Sequence, residues 1–119
     1  MTKSQALFNY FNGFGLSAYP TTSVPEEIKF PWATYENNIG NEGDQVSTTL
    51  QIWYHTDSEA VLNNKVDEIS RAIGLGGKLV PHDEGAMWIK RGTPWSTPIN
   101  QQSDNSIKGR SLNIEIEFM

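Results

Sequence analysis

Apolar residues recur at helical spacing in two stretches of the chain and alternate with polar residues in others. Leu7, Phe8 and Phe11, with Lys3, Gln5 and Asn9 between them, predict a short amphipathic helix over residues 3–12. Gly13 and Gly15 punctuate its end, and the Ser-, Thr- and Pro-rich stretch up to Pro25 reads as a loop. Over residues 28–37, Ile28, Phe30, Trp32 and Thr34 fall on one face and Ala33 and Tyr35 on the other, the pattern of a strand. Pro31 removes a backbone donor there and points to an edge position. The run Asn38-Ile39-Gly40-Asn41-Glu42-Gly43-Asp44 predicts a turn that folds the next strand back antiparallel. That strand, residues 45–55, places Val46, Thr48, Leu50, Ile52 and Tyr54 on one face and Ser47, Thr49, Gln51 and Trp53 on the other.

Thr56-Asp57-Ser58-Glu59 has the form of a capping box, in which Thr56 and Glu59 would satisfy free backbone donors reciprocally. Leu62, Val66, Ile69 and Ile73 follow as one apolar stripe, and Gly74 and Gly76 close the helix. A short strand at Leu79-Val80, a turn at Pro81-His82-Asp83-Glu84-Gly85 and a strand over 86–91 come next. Residues 92–109, with Pro94, Trp95, Pro98 and Ile99, read as a long polar loop, and such loops are more often functional than decorative. Leu112, Ile114, Ile116 and Phe118 then alternate with Ser111, Asn113, Glu115 and Glu117 in a closing strand. The expected fold class is α+β: a single antiparallel sheet of about four strands with two α-helices packed on one face, in the order α-β-β-α-β-β. One domain over residues 1–119 accounts for the length.

Composition narrows the function. Hydrophobic residues make up 37% and charged residues 19%, which suits a folded domain. The absence of cysteine removes disulfides and thiolate metal sites. The opening residues lack the apolar run of a signal peptide, and no segment approaches the ~20 apolar residues of a membrane-spanning helix. Folding in a reducing cytoplasm, away from membranes, is therefore expected. A formal net charge of −5 opposes binding to nucleic acid through its phosphates.

Candidate chemistry is sparse. His82-Asp83-Glu84 offers metal-ligand residue types, but three neighbours in one turn cannot all face one ion without strain, so a solvated acidic turn is expected. His55 is expected as an exposed strand-end residue. Gly74-Leu75-Gly76-Gly77-Lys78 lacks the spacing of a phosphate loop and follows a helix instead of preceding one. No catalytic, cofactor or metal residue is assigned. Glu115 and Glu117 are paired carboxylates on the outer face of a strand. Trp32, Trp53, Trp88 and Trp95 are more indoles than one small core needs, so two or more on a partner-facing surface and all four filling one core are equally open readings.

The strand Phe30-Pro31-Trp32-Ala33-Thr34-Tyr35 resembles the Pro-aromatic-x-Thr-Tyr strand of the tail-terminator, or tail-to-head joining, proteins of long-tailed (siphovirus-type) bacteriophages. The turn ending in Glu42-Gly43-Asp44, the strand with Ile52-Trp53, the helix opening Thr56-Asp57-Ser58-Glu59-Ala60 and the closing Leu112-Asn113-Ile114-Glu115-Ile116-Glu117-Phe118 are similar too, over residues 5–118. Related subunits often have a shorter connection than residues 92–109. The resemblance implies a non-enzymatic virion protein at the head-proximal end of the tail, assembled in the bacterial host cytoplasm. It implies a ring, expected as a hexamer, whose partners are the tail tube protein and a head-completion or connector protein. DNA would pass through the channel without specific binding. In such a ring Glu115 and Glu117 are expected to face the lumen, and Trp53, Trp95, Pro94 and Ile99 to contact a neighbouring subunit or partner. Another head–tail connector or minor capsid or neck subunit, and a monomeric protein-binding module, fit the same residues.

Overall fold

The computed structural model describes residues 1–99 and 106–119. Helix α1 (Lys3–Asn12) starts from a reciprocal cap: Thr2 Oγ1 accepts from the Gln5 amide and Gln5 Oε1 accepts from the Thr2 amide, at 3.2 and 2.9 Å. Its buried side carries Ala6, Leu7 and Phe11, while Phe8 stays 40% exposed. Strands β1 (Ser17–Pro20), β2 (Trp32–Tyr35) and β3 (Gln45–His55) follow. Helix α2 (Glu59–Ile73) buries the expected stripe of Leu62, Val66, Ile69 and Ile73. Its N-cap is Ser58, whose hydroxyl accepts from the Ala60 amide, and Thr56 instead hydrogen-bonds Ser58 in the turn before it. Gly74, at φ 77°, ends the helix in a backbone conformation that favours glycine. Strands β4 (Lys78–His82), β5 (Gly85–Ile99) and β6 (Ile107–Phe118) complete the chain.

The expected four-stranded antiparallel sheet is not what forms. Six strands make one sheet in the order β1-β2-β3-β6-β5-β4, and the chain order is α-β-β-β-α-β-β-β. The sheet is mixed, because β1 runs parallel to β2. Three regions account for the difference, the first being the short stretch at Leu79-Val80, which extends into the expected turn as the edge strand β4. β1 lies in the stretch expected to be loop, and it is only four residues long and ends in a proline. The expected loop 92–109 is largely strand: residues up to Ile99 continue β5 and those from Ile107 begin β6, while 100–105 lie outside the described residues. Polar Thr, Ser and Pro positions masked this strand because it borders no further strand beyond Ile89 and one of its faces carries no helix.

α1 packs against both β1 and β4, which are the two edges of the sheet. Laid flat, six strands would hold those edges roughly 24 Å apart, whereas a ten-residue helix is only about 15 Å long. The sheet therefore curls around its helix-bearing side. That concave side is the core: Ala33, Tyr35, Leu50, Ile52, Met87, Ile89, Leu112, Ile114, Ile116 and Phe118 are almost fully buried beneath the two helices. The other, convex face has no helix over it.

Candidate functional site

Strand registry writes the convex face as rows of side chains. At one end Trp32 lies opposite Trp53, Trp53 opposite Gly109, and Gly109 opposite Ile99, on β2, β3, β6 and β5 in turn. The two indoles are nearly parallel, with ring centroids 6.3 Å apart and planes 26° apart. A Cβ at Gly109 would come within 2.5 Å of the Trp53 ring, so Trp53 rests on bare glycine backbone. Phe30 packs at 5.6 Å against the ring of His55. Together Phe30, Trp32, Thr34, Gln51, Trp53 and Ile107 line a groove of about 460 Å³.

The next row, Thr34, Gln51, Ser111 and Thr97, is polar throughout. The far end is charged. Ser47, Glu115 and Lys90 form one row, and Gln45, Glu117, Trp88 and Leu79 the last. Gln45 Nε2 donates to Glu117 Oε1 at 2.6 Å, Thr49 Oγ1 donates to Glu36 Oε1 at 2.8 Å, and the Lys90 ammonium lies 4.5 Å over the Trp88 ring. One face thus grades from aromatic through hydroxyl and amide to carboxylate.

The β1 border of the sheet is closed to strand addition, and the border formed by β4 and β5 is interrupted. On β1, the side-chain amide of Asn12 donates to the Ala18 carbonyl and accepts from the Ala18 amide, each at 3.0 Å, saturating the edge. On the part of β5 that extends past β4, Pro94 and Pro98 remove donors, and a register shift between Arg91 and Ser96 bends the strand away. The turn after β4, at Asp83 and Glu84, meets the start of α1: the Asp83 amide donates to the Met1 carbonyl at 2.8 Å and Lys3 reaches Glu84 at 3.7 Å.

The singled-out residues divide accordingly. Glu115 is exposed and Glu117 half-buried, both on the charged end of the convex face. Trp53 and Ile99 share the aromatic row. Pro94 is exposed in the irregular part of β5, its carbonyl accepting from Asn113 Nδ2 at 2.5 Å. Trp95 turns the other way and packs against the core, with its indole nitrogen buried and unpartnered. Sequence reasoning did not single out Gly109 or Ile107, whose part depends on cross-strand register. The apolar alternation of Phe30 and Trp32 was the available signal.

His55 and His82 lie in different settings, one beside Phe30 and the other accepting from the Glu84 amide through Nδ1 at 3.2 Å. Among the described residues, no three His, Cys, Asp or Glu side chains are grouped to hold a metal ion. On the concave side, burial pushes the phenols of Tyr10 and Tyr35 up to about 12. No helix among the described residues is long and apolar enough to cross a membrane. No family model matches the chain, and no curated protein matches its sequence.

Proposed function

We propose that this chain is a structural, non-enzymatic subunit that joins copies of itself into a ring capping the tail tube of a long-tailed bacteriophage. The ring ends tube growth and offers the joining surface for the head connector. The observation that carries this reading is the uncovered convex face. A stacked tryptophan pair beside an open groove occupies one end, on a sheet whose β1 edge is closed to strand addition. Half-buried indoles with one side free are strong anchors for a protein partner. The resemblance of the Phe30–Tyr35 strand, of Ile52-Trp53 and of the closing strand to tail-terminator subunits supplies the kind of assembly.

The acidic end fits the same role. Carboxylates lining a channel repel phosphates, so Glu115 and Glu117, with Glu36 nearby, would let DNA slide without adhering. Negative-stain electron microscopy at high protein concentration, with the mass measured in solution, tests the proposal. Closed rings with a central channel are expected, alone or on the ends of added tail tubes. A chain that stays monomeric and leaves tube ends bare and growing would sink it.

A further inference from the structure

The tip after α2 is unusual in the opposite sense from the groove. Leu75 is 97% exposed, the most exposed of the large hydrophobic residues, and Leu79 just beyond is 57% exposed. Arg71, one turn earlier, and Lys78 flank Leu75, and both are exposed. It stands at the rim of a shallow hollow shared with Ser70, Arg91 and Trp95, with almost all of its own surface left open. It forms an apolar knob with a basic collar.

The groove of Phe30, Trp32 and Trp53 has the complementary character. The segment entering it carries exposed Glu26 and Glu27, and the segment leaving β3 carries exposed Asp57 and Glu59, against Lys29 alone. Its volume of about 460 Å³ falls within the range of sites that take up compact apolar groups. The two features stand at opposite ends of the molecule. α2 begins just after β3 leaves the groove at His55, and its fifteen residues then run about 22 Å to the knob. A chain cannot fill its own groove with its own knob.

Building on the ring reading, we infer that Leu75 of one copy seats in the Phe30/Trp32/Trp53 groove of the next, with Arg71 and Lys78 meeting the carboxylates of its rim. Two different patches meeting in this way make a heterologous, head-to-tail contact, the kind that closes into a ring when the rotation per subunit permits. The patches are apolar at the centre and charged at the margin, as in stable protein interfaces.

The natural chain has no cysteine, which makes cross-linking a direct test. Leu75→Cys and Phe30→Cys are made separately and oxidised alone and mixed, since a disulfide forms only when Cα atoms come within about 7 Å. Covalent dimers are expected in the mixture and not in either variant alone. The doubly substituted chain should give a ladder of covalent multimers. Leu75→Glu should keep the far-ultraviolet dichroism of the folded wild-type chain while reducing the solution mass from that of the ring to the 13.4 kDa of one chain, and Leu75→Met should keep the ring. Rings from Leu75→Glu indistinguishable from wild type, with no mixed cross-link, would overturn this pairing and leave the ring reading standing. Cross-linking of Phe30→Cys to itself in preference to the mixture would overturn the head-to-tail arrangement. Chains that remain monomeric in every form, tail tubes included, would overturn both.

Discussion

The two faces of one sheet follow different rules here. On the concave face every strand contributes aliphatic or aromatic side chains to a core sealed by α1 and α2, and residues such as Leu112 and Ile114 are completely buried. On the convex face the same strands contribute a tryptophan pair, a band of hydroxyls and amides, and a carboxylate end. Alternation along a strand thus separates two tasks residue by residue: from Leu112 to Phe118 the even positions of β6 hold the fold and the odd ones face outward. A change of one residue in register would exchange the two sets, so stability and surface are specified by the same pairing.

The largest expected effect breaks the concave side. Ile114→Ala should cost about 2–5 kcal/mol, as for other buried aliphatic truncations, whereas its neighbour Glu115→Ala should stay within about 0.5 kcal/mol. Chemical denaturation of both variants measures the contrast, and similar losses at the two positions would erase the distinction drawn above. Next comes a tight fit on the convex side. Gly109→Ala pushes a methyl into the Trp53 ring and should cost about 1–3 kcal/mol. Near-ultraviolet dichroism should report loss of the Trp32–Trp53 stacking, and an unchanged spectrum would contradict the packing described.

Asn12→Ala sharpens the comparison at the sheet border. It strips both partners from Ala18 and should cost about 1–3 kcal/mol. It should also raise concentration-dependent aggregation, followed by light scattering, because the β1 edge becomes available for pairing. The mildest probe is pH. The folded chain holds the protons of Tyr10 and Tyr35 to about 12, whereas an unfolded chain releases them near 10. The unfolded state therefore binds fewer protons above that point, so this contribution is whole below pH 10 and is lost as pH rises towards 12. Phenolate absorbance should show Tyr10 and Tyr35 titrating late in the native protein, with Tyr54 also raised by burial, and all of them earlier in denaturant.

Local signals carried much of this architecture, and non-local ones carried the remainder. The bounds of α1 and β3 and the buried stripe of α2 follow from periodicity within each segment. β1 was illegible because four residues ending in Pro20 have no pattern of their own; its place is fixed by parallel pairing to β2 and by Asn12. β5 beyond Arg91 reads as loop because its prolines and threonines serve a border. The cap of α2 fell on Ser58 instead of Thr56, a choice between two hydroxyl residues two positions apart that only backbone geometry settles. At the candidate site, Trp53 and Ile99 stood out singly, but their shared row exists only through Gly109, and Trp95 belongs with the core.

The position of β6 has a consequence for when this protein becomes a protein. β6 follows every other strand in the chain yet lies inside the sheet, pairing β3 on one side and β5 on the other. Until it is in place, the unit of β1, β2 and β3 and the hairpin of β4 and β5 have no backbone bond between them. The β5–β6 pairing is local, but joining β3 to β6 brings together residues as distant as Val46 and Ile116 and carries a large closure entropy. A nascent chain emerging from a ribosome would thus stay uncommitted until β6 is exposed. It would then fold in one cooperative step once β6 is free to enter the gap.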